Sequence, residues 1–291
     1  MISTDSVRRF LFENNDIRGE WVSLHDSFDQ AVAAHDYPLV VRELLGELVS
    51  AAILLSSTLK FDGLMTLQAK SDGAISLLMV ECTQGKTFRA LARFPEEQDI
   101  RAMEKKDLLG NGKLVFTIDP DQGQRHQGII PLEGGSLSDS LEQYFSLSEQ
   151  LPTRFWLASD GHQCTGFMIQ ALPASLELEE EDREESWTRI TALAATVIHE
   201  ELLVLSCDDV LHRLYHEEDI RLFDGSAVCF HCNCSQDRSA RIIESLGKEE
   251  ADAIISEQGE ITMNCQFCNK QYVFSARETE TIFSHRTAVL H

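Results

Sequence analysis

The sequence predicts an α+β protein. It divides into a mixed N-terminal domain over 1–176 with a β-sheet packed by helices, a helical linker over 177–227, and a small thiol-bearing C-terminal domain over 228–291. Three observations carry that division. One long helical period at 40–59 precedes short alternating runs separated by turn residues, the pattern of helices laid on antiparallel strands. Between 177 and 185, seven of nine residues are acidic, an abrupt change of composition that marks a boundary. Beyond 228, four cysteines stand in two close pairs, Cys232 with Cys234 and Cys265 with Cys268.

The elements follow in order. Residues 5–35 open as strand, with Val22 and Leu24 alternating with polar neighbours, and 27–34 has helix-forming composition. Pro38 stands ahead of the helix at 40–59, where Leu44, Leu48, Ala51, Ala52 and Leu55 take the three-four spacing of one buried face. Turn chemistry at 60–63 ends it. Leu64, Thr66 and Gln68 then alternate with Met65, Leu67 and Ala69, and the turn at Asp72 and Gly73 joins this run to another at 75–80, a hairpin signal. Further strands are expected at 86–93, 113–119 and 126–131. A helix at 138–147 follows, then a final strand pair at 154–157 and 166–171.

In the linker, Ile190, Leu193, Val197, Ile198, Leu202 and Leu205 line one side of an amphipathic stretch at 187–205. Val210, Leu211, Leu214 and Tyr215 do the same within 208–218. Helices this short need a partner surface for their apolar faces, whether as a docked linker or as ordinary core helices. In the third domain, 235–257 reads as helix–turn–helix, and strand pattern resumes at Tyr272 and Phe274.

Composition narrows the function. Hydrophobic content of 43% is ordinary for a soluble chain, but the formal net charge is −23. Such a surface repels polyanions, and 228–291 alone holds six Lys and Arg against nine Asp and Glu, so no nucleic-acid partner is expected. No apolar run reaches the length of a membrane span and the N-terminus has no secretory h-region, so the expected location is the cytoplasm with no membrane partner. There, eight cysteines point to metal binding or redox chemistry rather than standing disulfides. Cys82, Cys164 and Cys207 are isolated and read as small buried hydrophobes. No phosphate-cradling loop, nucleophile elbow or paired-histidine metalloprotease helix occurs, and no enzyme is expected.

The paired thiols have the grouping of a tetrahedral zinc site, one Zn²⁺ per chain, in which two short loops wrap the ion from opposite sides. The second pair, Cys265-x-x-Cys268, has the spacing of a zinc knuckle and also of a local disulfide. The first half is ambiguous. Cys229 and Cys232 form a CxxC of their own that overlaps Cys232-x-Cys234, and on spacing alone 229/232 with 265/268 is the commoner ribbon arrangement. His231 is a further ligand type in reach. Thiols are also what oxidants attack, so the four residues are either a staple or a switch.

Several segments together resemble the redox-regulated 33-kDa chaperonin family of bacteria. They are Phe230-x-Cys-x-Cys-Ser235 with Cys265-x-x-Cys268, Arg9-Phe-Leu-Phe-Glu13, Arg18-Gly-Glu20, His35-Asp-Tyr-Pro38, Thr58 to Gly63, Gly110-Asn-Gly112, Tyr144-Phe145 with Ser148 to Pro152, and Arg213 to Glu218. The resemblance runs nearly end to end. It implies an ATP-independent holdase of the stress response that protects unfolding proteins from oxidative and thermal aggregation.

In that family the reduced, zinc-bound form is inactive, with ligands here at Cys232, Cys234, Cys265 and Cys268. Oxidation joins Cys232 to Cys234 and Cys265 to Cys268, releases zinc and unfolds the linker to expose client-binding surface, and the oxidised form is a homodimer. The N-terminal domain binds substrate and dimerises. Cys229 departs from the family pattern and stands as an alternative ligand. Two other classes compete, a thiol–disulfide oxidoreductase using Cys265 and Cys268, and an acidic zinc-ribbon interaction module. No thioredoxin-like βαβ context supports the first, and acidic charge opposes nucleic-acid binding by the second.

Overall fold

A computed structural model describes residues 5–59, 61–83, 86–95, 100–101, 103–133, 136–174 and 178–287. The expected domain boundary at 176/177 and the turn residue Lys60 lie outside the described residues. The chain separates into two compact units, Met1–His231 and Cys232–His291.

The first unit begins with a hairpin of β1 (Ser6–Phe12) and β2 (Ile17–Leu24), two strands where the alternation suggested a single strand-like opening. Its turn uses Asn14 at φ 61, a left-handed position that asparagine tolerates. Helices α1 (Asp26–Val32) and α2 (Leu39–Thr58) follow, then β3 (Gly63–Ser71), β4 (Leu77–Thr83) and β5 (Thr87–Arg93). Next come α3 (Lys105–Leu108), β6 (Asn111–Pro120), β7 (His126–Glu133) and α4 (Leu137–Tyr144), the last extended by a π-turn over Phe145–Glu149. Ser136 caps α4 in a reciprocal box with Asp139. Strands β8 (Thr153–Ser159) and β9 (Cys164–Ala171) form the expected pair.

Three helices succeed them: α5 (Glu180–Ala194), α6 (His199–Val204) and α7 (Cys207–Tyr215). The unit closes with three very short strands, β10 (Ile220–Leu222), β11 (Ser226–Ala227) and β12 (Cys229–Phe230). One sheet has the order β10-β1-β2-β9-β8, with β11 also on β1; the other has the order β12-β5-β4-β3-β6-β7. All of these pairs are antiparallel except β12 on β5.

Helix α2 lies between the two sheets, touching β2, β8 and β9 of the first and β3, β4 and β5 of the second. The sequence suggested one buried face, whereas every residue from Leu48 to Ser56 is buried, Ser50 included. The difference has a simple cause. A helix packed on one layer keeps a wet face, but one packed between two sheets must be apolar all round. Gly46 marks the closest approach, since a Cβ there would collide with the side chain of Ser159 and meet Cys164 Cβ at 3.1 Å.

A second core lies on the first sheet, where Phe10, Phe12, Trp21 and Phe167 pack under Ile190 and Ala194 of α5, Leu202 of α6, and Val210, Leu214 and Tyr215 of α7. The Tyr215 hydroxyl donates to the Ile190 carbonyl at 3.1 Å, tying α7 to α5. The apolar stretch at 187–205 is therefore docked, but as two helices. It breaks at Ile198, which is extended (φ −103, ψ 159) as the N-cap of α6 and 55% exposed, not part of the apolar face.

The second unit is built from α8 (Gln236–Leu246), α9 (Lys248–Gln258), the hairpin of β13 (Glu260–Asn264) and β14 (Gln271–Ser275), and α10 (Ala276–Thr287). Its core is small. Among the described residues, the fully packed members are Ile243, Ala251, Ile261, Tyr272 and Phe274.

Candidate metal centre

The β13–β14 hairpin presents the second thiol pair. Asn269 takes the left-handed conformation (φ 55) that closes the knuckle, its N–H donating to the Cys265 carbonyl at 2.7 Å. The Cys265 N–H returns a bond to the Lys270 carbonyl at 2.9 Å, fixing where both sulfurs point. The first pair sits in extended chain just ahead of α8, whose start is set by Ser235 accepting from the Arg238 N–H at 3.2 Å. The Gln236 amide donates to the Val273 carbonyl at 3.3 Å and joins this segment to β14.

These two loops bring Cys232, Cys234, Cys265 and Cys268 together, all four sulfurs within 4.8 Å of one another and all half-buried. Cys232 Sγ is 3.6 Å from Cys265 Sγ, and Cys234 Sγ is 3.5 Å from Cys268 Sγ. A zinc–sulfur bond of about 2.3 Å implies a tetrahedron with edges of about 3.8 Å. The donor set therefore fits a four-coordinate thiolate ion in size and in kind.

The electrostatics of the bare thiols argue the same way. Burial raises the Cys234 thiol, but the hydrogen bond from the Tyr272 hydroxyl at 3.1 Å and the adjacent thiols outweigh it and bring it down to about 7. Cys268 moves the opposite way, up to about 12, first through burial; the Lys270 backbone N–H opposes this, and the other three thiols add to it. Cys232 is also raised, burial again leading. One thiolate is readily accommodated and four are not, unless a cation shares the space.

Cys229 and His231 are not members of this cluster. They belong to the first unit, where β12 pairs with β5. There the Cys229 N–H donates to the Lys86 carbonyl at 3.0 Å and the His231 N–H to the Phe88 carbonyl at 2.9 Å. Cys229 is exposed. Cys82, Cys164 and Cys207 are buried, each pushed up to about 12 by that burial, and are inert as nucleophiles. Tyr272 is the functional contact that sequence reading missed. It reads as one more apolar residue of a strand, and only the hairpin register turns its hydroxyl toward Cys234.

Comparison with known proteins agrees along the chain. The model of the Hsp33 protein family matches residues 5–275. The "33 kDa chaperonin" of Pseudomonas syringae pv. tomato is 48% identical over 281 residues, covering 96% of this chain and 94% of that one. The protein of the same name from Pseudomonas paraeruginosa is 48% identical over 285 residues, covering 98% and 96%. Among solved structures, the 33 kDa chaperonin (heat shock protein 33 homolog) of Thermotoga maritima superposes with a TM-score of 0.83 at 20% identity, covering 98% of this chain and 99% of that one.

Proposed function

The chain belongs to the Hsp33 family, and on that footing we propose that it is a redox-switched, ATP-independent holdase of the cytoplasm that captures unfolding clients. The observation that carries the reading is the convergence of four thiols in a unit whose core, among the described residues, is small. Such a core holds about sixty residues only marginally unaided. Zinc bound by Cys232, Cys234, Cys265 and Cys268 would supply the missing folding free energy.

Oxidation withdraws those ligands. Joining Cys232 to Cys234 and Cys265 to Cys268 takes two electrons per bond from the zinc-bound thiolates, and each molecule of peroxide that accepts them takes two protons from solvent and leaves as two waters. With its thiolates gone the second unit loses its cross-link and unfolds. The linker at 177–227 ends five residues before Cys232, and its helices α5, α6 and α7 lie on the aromatic face of the first sheet. Their release would uncover Phe10, Phe12, Trp21 and Phe167, a contiguous apolar surface of the kind that binds unfolded chains. The N-terminal domain would then hold clients and pair into a homodimer, while the acidic run at 177–185 keeps the freed linker soluble.

The test is to treat the reduced, zinc-loaded protein with peroxide under mildly unfolding conditions. Zinc release is followed with a chromogenic chelator, client aggregation by light scattering and size by sedimentation. One zinc per chain should leave as aggregation is suppressed and dimer appears. Zinc loss with no gain in suppression overturns the reading.

A further inference from the structure

The first unit contains a cavity of about 180 Å³ between its two sheets, open to solvent at one side. Its walls are largely apolar, with Leu55 of α2, Phe116 of β6, Ile130 of β7, Leu141 of α4 and Phe145 of the π-turn. A cavity of about 150 Å³ is enough to take a benzene ring. Into this space β2 brings one cation, Arg18.

The arrangement around Arg18 is specific. Its Nε and Nη2 both donate to Gln170 Oε1, at 3.1 and 2.6 Å. Gln170 is 2% exposed, and its own amide donates to Thr153 Oγ1 at 2.9 Å, so the guanidinium is held by a neutral, fixed partner. No carboxylate forms an ion pair with it among the described residues. Glu20, two residues along the same strand, attracts Arg18 through space but makes its direct contacts with Arg9 at 3.4 Å and with the Ser57 hydroxyl. Glu149, which also lines the cavity, accepts from the Tyr144 hydroxyl at 3.0 Å. Among the described residues Nη1 meets no protein acceptor, in a chain of net charge −23 where carboxylates are abundant. A half-buried cation beside apolar walls is costly unless an anion meets it. Glu149 at the same cavity disfavours a second negative charge on whatever enters.

We propose that this cavity binds a monocarboxylate carrying a compact apolar body, the carboxylate meeting Arg18 and the body filling the space between the sheets. The chemistry is shared by a free aromatic or branched-chain acid and by the C-terminus of a polypeptide that ends in an apolar residue. It is independent of the thiol cluster and of the redox reading.

The test uses the reduced full-length protein and calorimetric titration with 3-phenylpropanoate and its neutral isostere 3-phenylpropanamide. Two further arms use a short peptide ending in Phe, with a free or an amidated C-terminus. The acid should bind at least about tenfold more tightly than the amide, as charge-assisted bonds exceed neutral ones. Arg18→Met should abolish that preference. Ile130→Trp, which fills the space, should remove binding of both, so the proposal stays testable if the first variant fails to fold. Tighter binding of the free-ended peptide assigns the site to chain ends, and tighter binding of the small acid assigns it to a free metabolite. Equal affinity for acid and amide, a preference that survives Arg18→Met, or no saturation by about 10 mM ligand overturns the proposal.

Discussion

Replacing Leu214 by alanine tests whether the docked helices restrain activity. Leu214 is 4% exposed on α7 and packs into the cluster with Phe10, Phe12 and Phe167. A buried Leu→Ala change costs about 2–5 kcal/mol, from lost transfer free energy and the cavity left behind. If α5, α6 and α7 open as a unit, that cost falls on the opening equilibrium alone. At about 1.4 kcal/mol per decade, the open population rises at least roughly 30-fold. Hydrogen exchange measured by mass spectrometry should show amides of 180–215 losing protection by that factor, while the amides of α2 keep theirs. The same reduced variant should suppress client aggregation with zinc retained and no oxidant. Faster exchange in 180–215 without any gain in client capture would refute the idea that the covered aromatic face is the client surface. Equal loss of protection in α2 would refute separate release of the linker.

Other outcomes follow from single residues. Gly46→Ala gains about 1 kcal/mol of helix propensity, yet the added methyl collides with Ser159. Overpacking of about 1–3 kcal/mol should win and lower the urea midpoint. Burial raises Glu20 to about 7, against the opposing pull of Arg9 and Arg18. Its folded pKa lies above its unfolded one, so the protonated form favours the folded state and stability falls as pH rises from about 4.5 to 7. Glu20→Gln should remove up to about 3 kcal/mol of that slope in urea titrations across this window. Cys229→Ser should leave zinc content at one per chain and the peroxide response unchanged, because Cys229 lies outside the four-sulfur cluster; atomic absorption and the aggregation assay check both.

The parts that could be read in advance were those written in local pattern. The period of α2, the Asp72–Gly73 turn, the β8–β9 pair and both thiol pairs all show within short stretches of chain. What escaped depends on distant partners. Nothing in α2 itself announces a second sheet against its outer face, since that sheet is assembled from later strands that begin with β3 and end with β12 at Cys229–Phe230. Strands β10, β11 and β12 are two or three residues long and exist only because β1 and β5 offer free edges. β13 and α10 give no signal in the sequence, because Glu260–Asn264 and Ala276–Thr287 carry few apolar residues and neither shows a clear face. At the thiol site, spacing alone favoured Cys229 over Cys234. Strand pairing holds Cys229 in the first unit, a constraint no spacing rule contains.

The pairing of β1 with β10 and β11 spans almost the whole first unit, and it orders events during synthesis. The β1–β2 hairpin is made before the other strands of its sheet: β8 and β9 come next, then the helical cover α5, α6 and α7, and only after it β10 and β11. From Ala171 to Tyr215 the chain needs roughly 2–9 s at ordinary elongation rates. Through that interval Phe10, Phe12, Trp21 and Phe167 have all been made and the helices that cover them have not. Each new copy thus passes through an uncovered form before the four thiols of the cluster are made. If the aromatic face is the client surface, a nascent chain is at once a captor of its neighbours and a substrate for them, and the acidic excess of the sequence holds such chains apart while the cover is being made.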